Sequence, residues 1–357
     1  MKIGGRDVLA LEYEVRSPVD MDIVVGRFQR GGRDEAVAAL NSAVRAFDDW
    51  SRRDWRERAT IMRRVAEAVE RRKFLIAAVM AYEVGKNRVE AVAEVNEALE
   101  AIRYYASLME KEEGYVRRMA PGSPGEETWS VARPRGPWFV IMGDRRVAGI
   151  AFTGSKDVGH HLYREFAARQ PYPKPVVLET GSKNPTVVTA KADLTKAAEG
   201  VARAAFGYGG QKCSATSRLY VQEEVKDGFL EALASYTRSL TVGDPRKDGV
   251  FMGPLINARA YTNFARNVQE GIAAGGRLVT GGRQLRDGWM SRGFYVEPTI
   301  MDGVPEGHYL FRDELFMPLL VVAPFRDLDY AISKVNDTDY GLTAGIFSED
   351  EGEVREF

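Results

Sequence analysis

The sequence predicts an α/β fold, and three observations predict it. Two short runs rich in apolar residues, Val187-Val188-Thr189 and Leu219-Tyr220-Val221, are each followed by a stretch with helical spacing, over 197–206 and 225–240. Phe152-Thr153-Gly154-Ser155-Lys156-Asp157-Val158-Gly159 reads as a further strand running through a turn into a helix. With 357 residues the chain is long enough for two or three domains with sizeable cores.

Taken in order, residues 1–30 alternate polar and apolar positions in short pieces, among them Leu11-Glu12-Tyr13-Glu14-Val15 and Ile23-Val24-Val25, as edge strands or hairpins do. Asp34 is a candidate N-cap, after which Val37, Leu40, Val44 and Phe47 recur at helical spacing. Ile61, Val65 and Val69 mark a second helix, followed by the apolar block 74–80. A third helix turns Val92, Val95, Leu99 and Ile102 to one side, and the charged residues between these positions read as solvated helix faces. From 112 to 133 the helical period is lost, and Ala120-Pro121-Gly122-Ser123-Pro124-Gly125 collects turn formers. That segment is either an exposed arm or a loose surface loop.

The pattern then breaks. Trp138-Phe139-Val140-Ile141-Met142 and Val147-Ala148-Gly149-Ile150-Ala151-Phe152 both read as buried strands, with only Gly143-Asp144-Arg145-Arg146 between them. A crossover between parallel neighbours needs roughly a dozen residues, so four residues allow only a hairpin. Further on, a helix is expected over 258–274. Ser348 and Glu351 form a capping-box pattern whose helix has barely begun at Phe357, so the sequence is expected to continue past that point.

Two reactive groups stand at the ends of one compact stretch. Leu178-Glu179-Thr180-Gly181-Ser182-Lys183-Asn184-Pro185 opens it with a carboxylate, and Gly209-Gly210-Gln211-Lys212-Cys213-Ser214-Ala215 closes it with the only cysteine. A thiolate is a strong nucleophile toward a carbonyl carbon, and a carboxylate in an apolar cleft keeps a pKa high enough to activate water. Gly154 and Gly159 hold the first and last places of G-x-x-x-x-G at a strand-to-helix turn. The Ser155 hydroxyl and the amides that open such a helix can hold a diphosphate, although a Gly-Ser turn before a helix is also a common structural device. Lys156 reads as a solvated side chain.

These motifs resemble the aldehyde dehydrogenase superfamily, which carries a Glu-x-Gly-Gly-Lys-like motif and, at this spacing, Gly-Gln-x-Cys. The similarity is closest to the 1-pyrroline-5-carboxylate dehydrogenase branch, on Glu179-Thr180-Gly181-Ser182-Lys183-Asn184, Phe206-Gly207-Tyr208 and Gln211-Lys212-Cys213-Ser214-Ala215-Thr216-Ser217-Arg218. Met252-Gly253-Pro254-Leu255-Ile256 and Asp339-Tyr340-Gly341-Leu342-Thr343-Ala344-Gly345-Ile346-Phe347-Ser348 follow the family as well. Arg312-Asp313-Glu314-Leu315-Phe316-Met317-Pro318 matches a Glu-Glu-x-Phe-Gly-Pro pattern, with Asp313 and Met317 as departures.

The resemblance implies a Rossmann-type cofactor domain, incomplete here, plus an α/β catalytic domain. Residues 1–111 correspond to the helical part of the cofactor domain, 112–133 to an oligomerisation arm, 134–179 to the remaining cofactor-domain strands with the phosphate-binding turn, and 180–357 to a catalytic domain truncated at its C-terminus. It implies oxidation of an aldehyde with NAD or NADP through a thiohemiacetal and a thioester on Cys213, with Glu179 as general base. A lone cysteine is otherwise a small buried hydrophobe and a lone glutamate a surface charge; the family spacing is what reverses both readings. The Gly154-Ser155 turn with Gly159 becomes the cofactor phosphate site. Glu314 becomes the ligand of the nicotinamide ribose hydroxyls, Phe316 the backing of the ring, and Ser214 the residue that meets a substrate carboxylate, as in the oxidation of glutamate semialdehyde. In the family several tens of residues separate the two strands at the break, with a Pro-Trp-Asn-Phe-Pro-like motif and a Lys-Pro motif. Pro137-Trp138-Phe139 has no asparagine and is not matched to them. Without that block, one oxyanion donor and much of the nucleotide fold are missing, and the chain is expected to bind dinucleotide poorly and turn over slowly.

Composition narrows the field further. A net charge of −1, from 50 basic and 51 acidic residues, offers no bulk attraction to nucleic acid or to an anionic membrane. One cysteine and three histidines leave no disulfide framework and little for a metal centre. The opening residues lack an apolar signal segment and no run approaches a membrane span, which points to a cytoplasmic protein with a small-molecule substrate and, by the resemblance, a homo-oligomer. Two other readings stand beside the dehydrogenase: a non-catalytic remnant that folds in part or joins intact homologues, and a cysteine hydrolase, for which His160, His161 and His308 have no recognisable place beside Cys213.

Overall fold

The computed structural model describes residues 1–138 and 142–357; the expected strand at 138–142 therefore falls largely outside the described residues. The chain forms two compact units. The first is Met1–Glu14, Gly26–Ala77 and Val92–Thr180; the second is Val15–Val25, Ala78–Ala91 and Gly181–Phe357.

The chain begins with a short antiparallel pair, β1 (Lys2–Ile3) and β2 (Arg6–Asp7), and a second two-stranded sheet of β3 (Leu11–Arg16) and β4 (Val24–Arg30). Four helices follow: α1 (Arg33–Arg52), α2 (Trp55–Glu70), α3 (Lys73–Val84) and α4 (Arg88–Lys111). The N-cap of α1 is Gly32, not Asp34: the Gly32 amide donates to Glu35 Oε2 at 2.7 Å, which leaves Asp34 in the first turn, favourable at the positive end of the helix. Asp54 caps α2 by accepting from the Arg56 amide at 2.7 Å. On α4 the expected face is buried at Val95 and Leu99. In the apolar block of α3, Phe74 and Leu75 stand out in solvent.

Residues 112–133 form an antiparallel hairpin of β5 (Val116–Met119) and β6 (Thr128–Val131), every strand residue of which is exposed. Beyond it, β7 (Ile150–Thr153), α5 (Lys156–Arg169) and β8 (Val176–Glu179) make a parallel βαβ unit. Its core joins Ile150, Phe166 and Val147 to Leu40 of α1.

The short link does not make a hairpin among the described residues. Trp138 and Gly149 meet in a parallel bridge, and the Ala148 amide donates to Pro137 O at 2.8 Å. The residues after the break are spent on a turn: Asp144 accepts from the Arg146 amide and guanidinium, both at 2.9 Å, and the Val147 amide returns to Asp144 O. Arg146 holds the Asp144 carboxyl down at about 2. The Lys174 ammonium ties the turn to α5's outgoing loop through Val147 O at 2.6 Å. The strand expected from Val147 accordingly starts at Ile150.

The second unit is a six-stranded sheet in the order β11-β12-β13-β10-β9-β14, built from β9 (Asn184–Val188), β10 (Thr216–Gln222), β11 (Arg277–Thr280), β12 (Thr299–Asp302), β13 (Leu319–Phe325) and β14 (Gly345–Phe347). All pairs are parallel except β11 with β12. Its strands read as continuous apolar runs because both faces are covered. Val187, Tyr220, Met301 and Leu319 face one core with Phe264 and Val268 of α8 (Ala258–Ala273). Val188, Leu219, Val221, Ile300 and Leu320 face the other, with Val201 and Phe206 of α6 (Leu194–Phe206) and Phe229 and Leu233 of α7 (Lys226–Ser239). Asp193 caps α6 by accepting from the Thr195 and Lys196 amides, each at 3.1 Å. The remaining helices are α9 (Tyr309–Arg312), α10 (Leu328–Asn336) and α11 (Glu351–Glu356). Asp350 caps α11; Ser348 instead accepts from the Asp350 amide and donates to Glu353. Among the described residues no helix is long and apolar enough to cross a membrane.

Candidate active site

Cys213 is exposed, at the end of a turn that begins where α6 stops. The chain reverses through three residues with left-handed backbones: Tyr208 (φ 49), Gly209 (φ 62) and Gly210 (φ 66). A side chain at Gly210 would lie 2.5 Å from Met317 O, so glycine is required there twice over. The turn is braced from both sides. Gln211, 4% exposed, donates to Tyr208 O at 3.1 Å and accepts from the Ile256 amide at 2.9 Å. Glu90 accepts from the Tyr208 amide at 3.1 Å and pairs with the Lys212 ammonium.

Behind the turn lies the segment that opens β9. The Asn184 side-chain amide donates to Cys213 O at 2.7 Å and Ala215 O at 2.9 Å, and the Ser182 hydroxyl also donates to Cys213 O. The Ser182 amide donates to Glu314 Oε1 at 2.9 Å. Glu314 is half-buried, and burial raises its carboxyl pKa, opposed by the Ser182 amide and the Lys183 charge. Lys183 is 1% exposed and its Nζ has no hydrogen-bond partner among the described residues; burial, with the Arg218 guanidinium nearby, pushes its pKa down to about 7. Ser214 is exposed next to the thiol, and Phe316 presents an exposed ring from a backbone at φ 56. A non-glycine residue held in that region stores strain of roughly 1–3 kcal/mol and marks a loop over-determined by its surroundings.

The other sequence-derived residues belong to the first unit. Thr153 of β7 pairs with Glu179 of β8, and the Gly154 amide donates to Glu179 O at 3.0 Å, so the carboxylate and the Gly-Ser turn share one strand end. Glu179 is exposed rather than set among apolar side chains. Ser155 is the N-cap of α5 in backbone terms, yet its hydroxyl makes no capping bond to the helix amides. Gly159 has a packing role: a side chain there would stand 2.1 Å from Thr180 Cγ2. His160 and His161 lie on α5 as well, while in the second unit His308 Nδ1 accepts from the Leu310 amide as the cap of α9.

The structure thus brings Cys213, Ser214 and Glu314 together within the second unit, and Gly154, Ser155, Gly159 and Glu179 within the first. Ser182, Lys183, Asn184 and Arg218 lie within the sequence motifs, which assign them no task. The one available signal was Ser182 itself, a hydroxyl where the family motif has glycine.

A model of the aldehyde dehydrogenase family matches residues 10–143 and, as a separate segment, 140–357. The two matches meet where the strand pattern breaks. The 1-pyrroline-5-carboxylate dehydrogenase of Geobacillus thermodenitrificans is 32% identical over 418 residues, 97% of this chain and 80% of the relative. That alignment is longer than the 357-residue chain itself, so the relative carries residues with no counterpart here. A 2,5-dioxopentanoate dehydrogenase of Saccharolobus solfataricus is 28% identical, over 97% of this chain and 85% of the relative. Among solved structures, 1-pyrroline-5-carboxylate dehydrogenase from Thermus with bound NAD matches with a TM-score of 0.93 at 28% identity, covering 99% of this chain and 81% of that one.

Proposed function

This chain belongs to the aldehyde dehydrogenase family, and from that premise we propose that its chemistry is the NAD(P)-dependent oxidation of an aldehyde to a carboxylic acid on Cys213. The observation that carries the reading is the exposed sole thiol on a braced, left-handed turn. A cysteine kept for packing would be buried.

In this reading the Cys213 thiolate adds to the carbonyl carbon of the aldehyde, and the oxygen that becomes negative takes a donor from the Cys213 amide. The nucleotide, when bound, supplies the hydride acceptor. Glu179 takes a proton from the water that hydrolyses the thioester, releasing the acid and restoring the thiol. Part of the donor set fits a nicotinamide ribose: the half-buried Glu314 carboxylate is an acceptor for two hydroxyls, and the exposed Phe316 ring offers a face for the base. The diphosphate is assigned to the Gly154-Ser155 turn and the first amides of α5, left uncapped by the Ser155 hydroxyl. The domain roles follow: 1–111 and 134–179 for the nucleotide, 112–133 as the arm of a homo-oligomer, 180–357 for catalysis.

The substrate we assign is a short aldehyde carrying a carboxylate, with glutamate semialdehyde first. Both relatives are named for five-carbon carboxylates, one of them, 2,5-dioxopentanoate, an aldehyde as written, and Ser214 stands beside the thiol to meet the carboxylate. The family match broken at 140–143 favours a second element of the proposal: this polypeptide turns over slowly, and a remnant that associates with intact homologues is the competing reading. Reduced nicotinamide formed from glutamate semialdehyde by the wild type, Cys213→Ala and Glu179→Gln tests both. The expected result is a low wild-type rate lost in Cys213→Ala, with Glu179→Gln stalling as a thioester seen by mass spectrometry. A Cys213→Ala variant as active as wild type would sink the reading.

A further inference from the structure

Ser182 makes two hydrogen bonds that the chemistry above does not use. Its amide donates to Glu314 Oε1 at 2.9 Å, and its hydroxyl donates to the carbonyl of Cys213. The residue is 4% exposed, and Asn184, 2% exposed, completes the arrangement by donating to Ser182 Oγ at 2.9 Å and to Cys213 O at 2.7 Å. Asn184 is itself oriented by the Thr343 amide, which donates to its Oδ1 at 3.1 Å. On the other side, Gly181 at φ +76 leaves no room for a side chain, whose first carbon would lie 2.7 Å from Glu314 Oε2. A carboxylate 132 residues away in sequence thereby reaches the nucleophile's peptide through a single residue.

We propose that Ser182 is a positioning residue that couples the Glu314 carboxylate to the Cys213 peptide and so sets the reactivity of the thiol. Donors on Cys213 O polarise the Cys213-Ser214 peptide and strengthen its N–H, that of Ser214 directly after the thiol-bearing residue, and a nearby positive dipole favours the thiolate. The Glu314 bond holds Ser182 where its hydroxyl can do this. The inference rests on Cys213 being the nucleophile.

The test is a double-mutant cycle on the full chain, read as the rate of Cys213 alkylation by iodoacetamide across pH. Ser182→Ala is expected to slow alkylation at neutral pH by about fivefold, the scale of one net hydrogen bond, and to move the pH profile upward. Glu314→Ala is expected to do the same, and the double variant no more than the slower single one. Ser182→Thr, which keeps the hydroxyl, is expected to restore the rate; Ser182→Gly takes the place of Ser182→Ala should that variant not fold. A wild-type thiol with the profile of free cysteine would overturn the nucleophile reading and this one with it. An activated wild-type thiol whose rate is untouched by Ser182→Ala, or falls additively in the double variant, overturns the coupling alone.

Discussion

Gly181 shows how closely a single residue is held in the site. Its backbone stands at φ +76, and an added side chain would meet the Glu314 carboxylate. Gly181→Ala is therefore expected to destabilise the protein by at least about 1–2 kcal/mol from the left-handed backbone alone, read as a lowered urea midpoint with an unchanged slope. Lys183 carries the opposite kind of stress. Burial and Arg218 lower its pKa from 10.5 to about 7, against the pull of Asp313 and Glu314. Between about pH 7 and 10.5 the unfolded chain then binds more protons than the folded one, so this lysine makes the fold more stable as pH rises through that window and costs most below it. Lys183→Met removes the buried ammonium and is expected to raise the melting temperature more at about pH 6 than at about pH 10; calorimetry showing equal gains would refute this assignment.

At the scale of elements, the central strands owe their order to both apolar faces and one buried cation. Arg218 of β10, 2% exposed, donates to Lys183 O at 2.8 Å and to the last carbonyls of α10, Lys334 O at 3.1 Å and Val335 O at 3.0 Å. It joins two parallel strands to a helix C-terminus, where a cation is favoured. Arg218→Ala leaves those carbonyls without their donor and is expected to cost about 3 kcal/mol in chemical denaturation. Arg218→Lys is expected to recover little, because an ammonium cannot span the same fork. The β5–β6 hairpin is the contrary case, with Val116, Met119, Trp129 and Val131 all exposed. If it is the arm of an oligomer, Trp129→Glu lowers the sedimenting mass; unchanged mass would remove that role.

For the whole molecule, the break at 140–143 decides more than any side chain. Among the described residues the second unit has a six-stranded sheet and β7 with β8 a two-stranded parallel one, and parallel strands depend on cover from other elements. Titration calorimetry with NAD and NADP is expected to show no micromolar site, and micromolar binding would show that the chain completes a nucleotide fold by other means.

The strand and helix order, the exposure of 112–133 and the family were legible in the sequence, because each is written in local periodicity or in a motif of a few residues. The caps expected at Asp34 and Ser348 each lie two residues from the observed ones, Gly32 and Asp350, since neighbouring polar side chains compete for the same amides and only the folded backbone selects among them. Folding alone decided that Lys183 and Arg218 are buried, that Ser182 joins Glu314 to Cys213, and that the chain on either side of the break meets in parallel. Those facts depend on residues more than a hundred positions apart, or on how a turn spends its hydrogen bonds, and no periodic pattern records either.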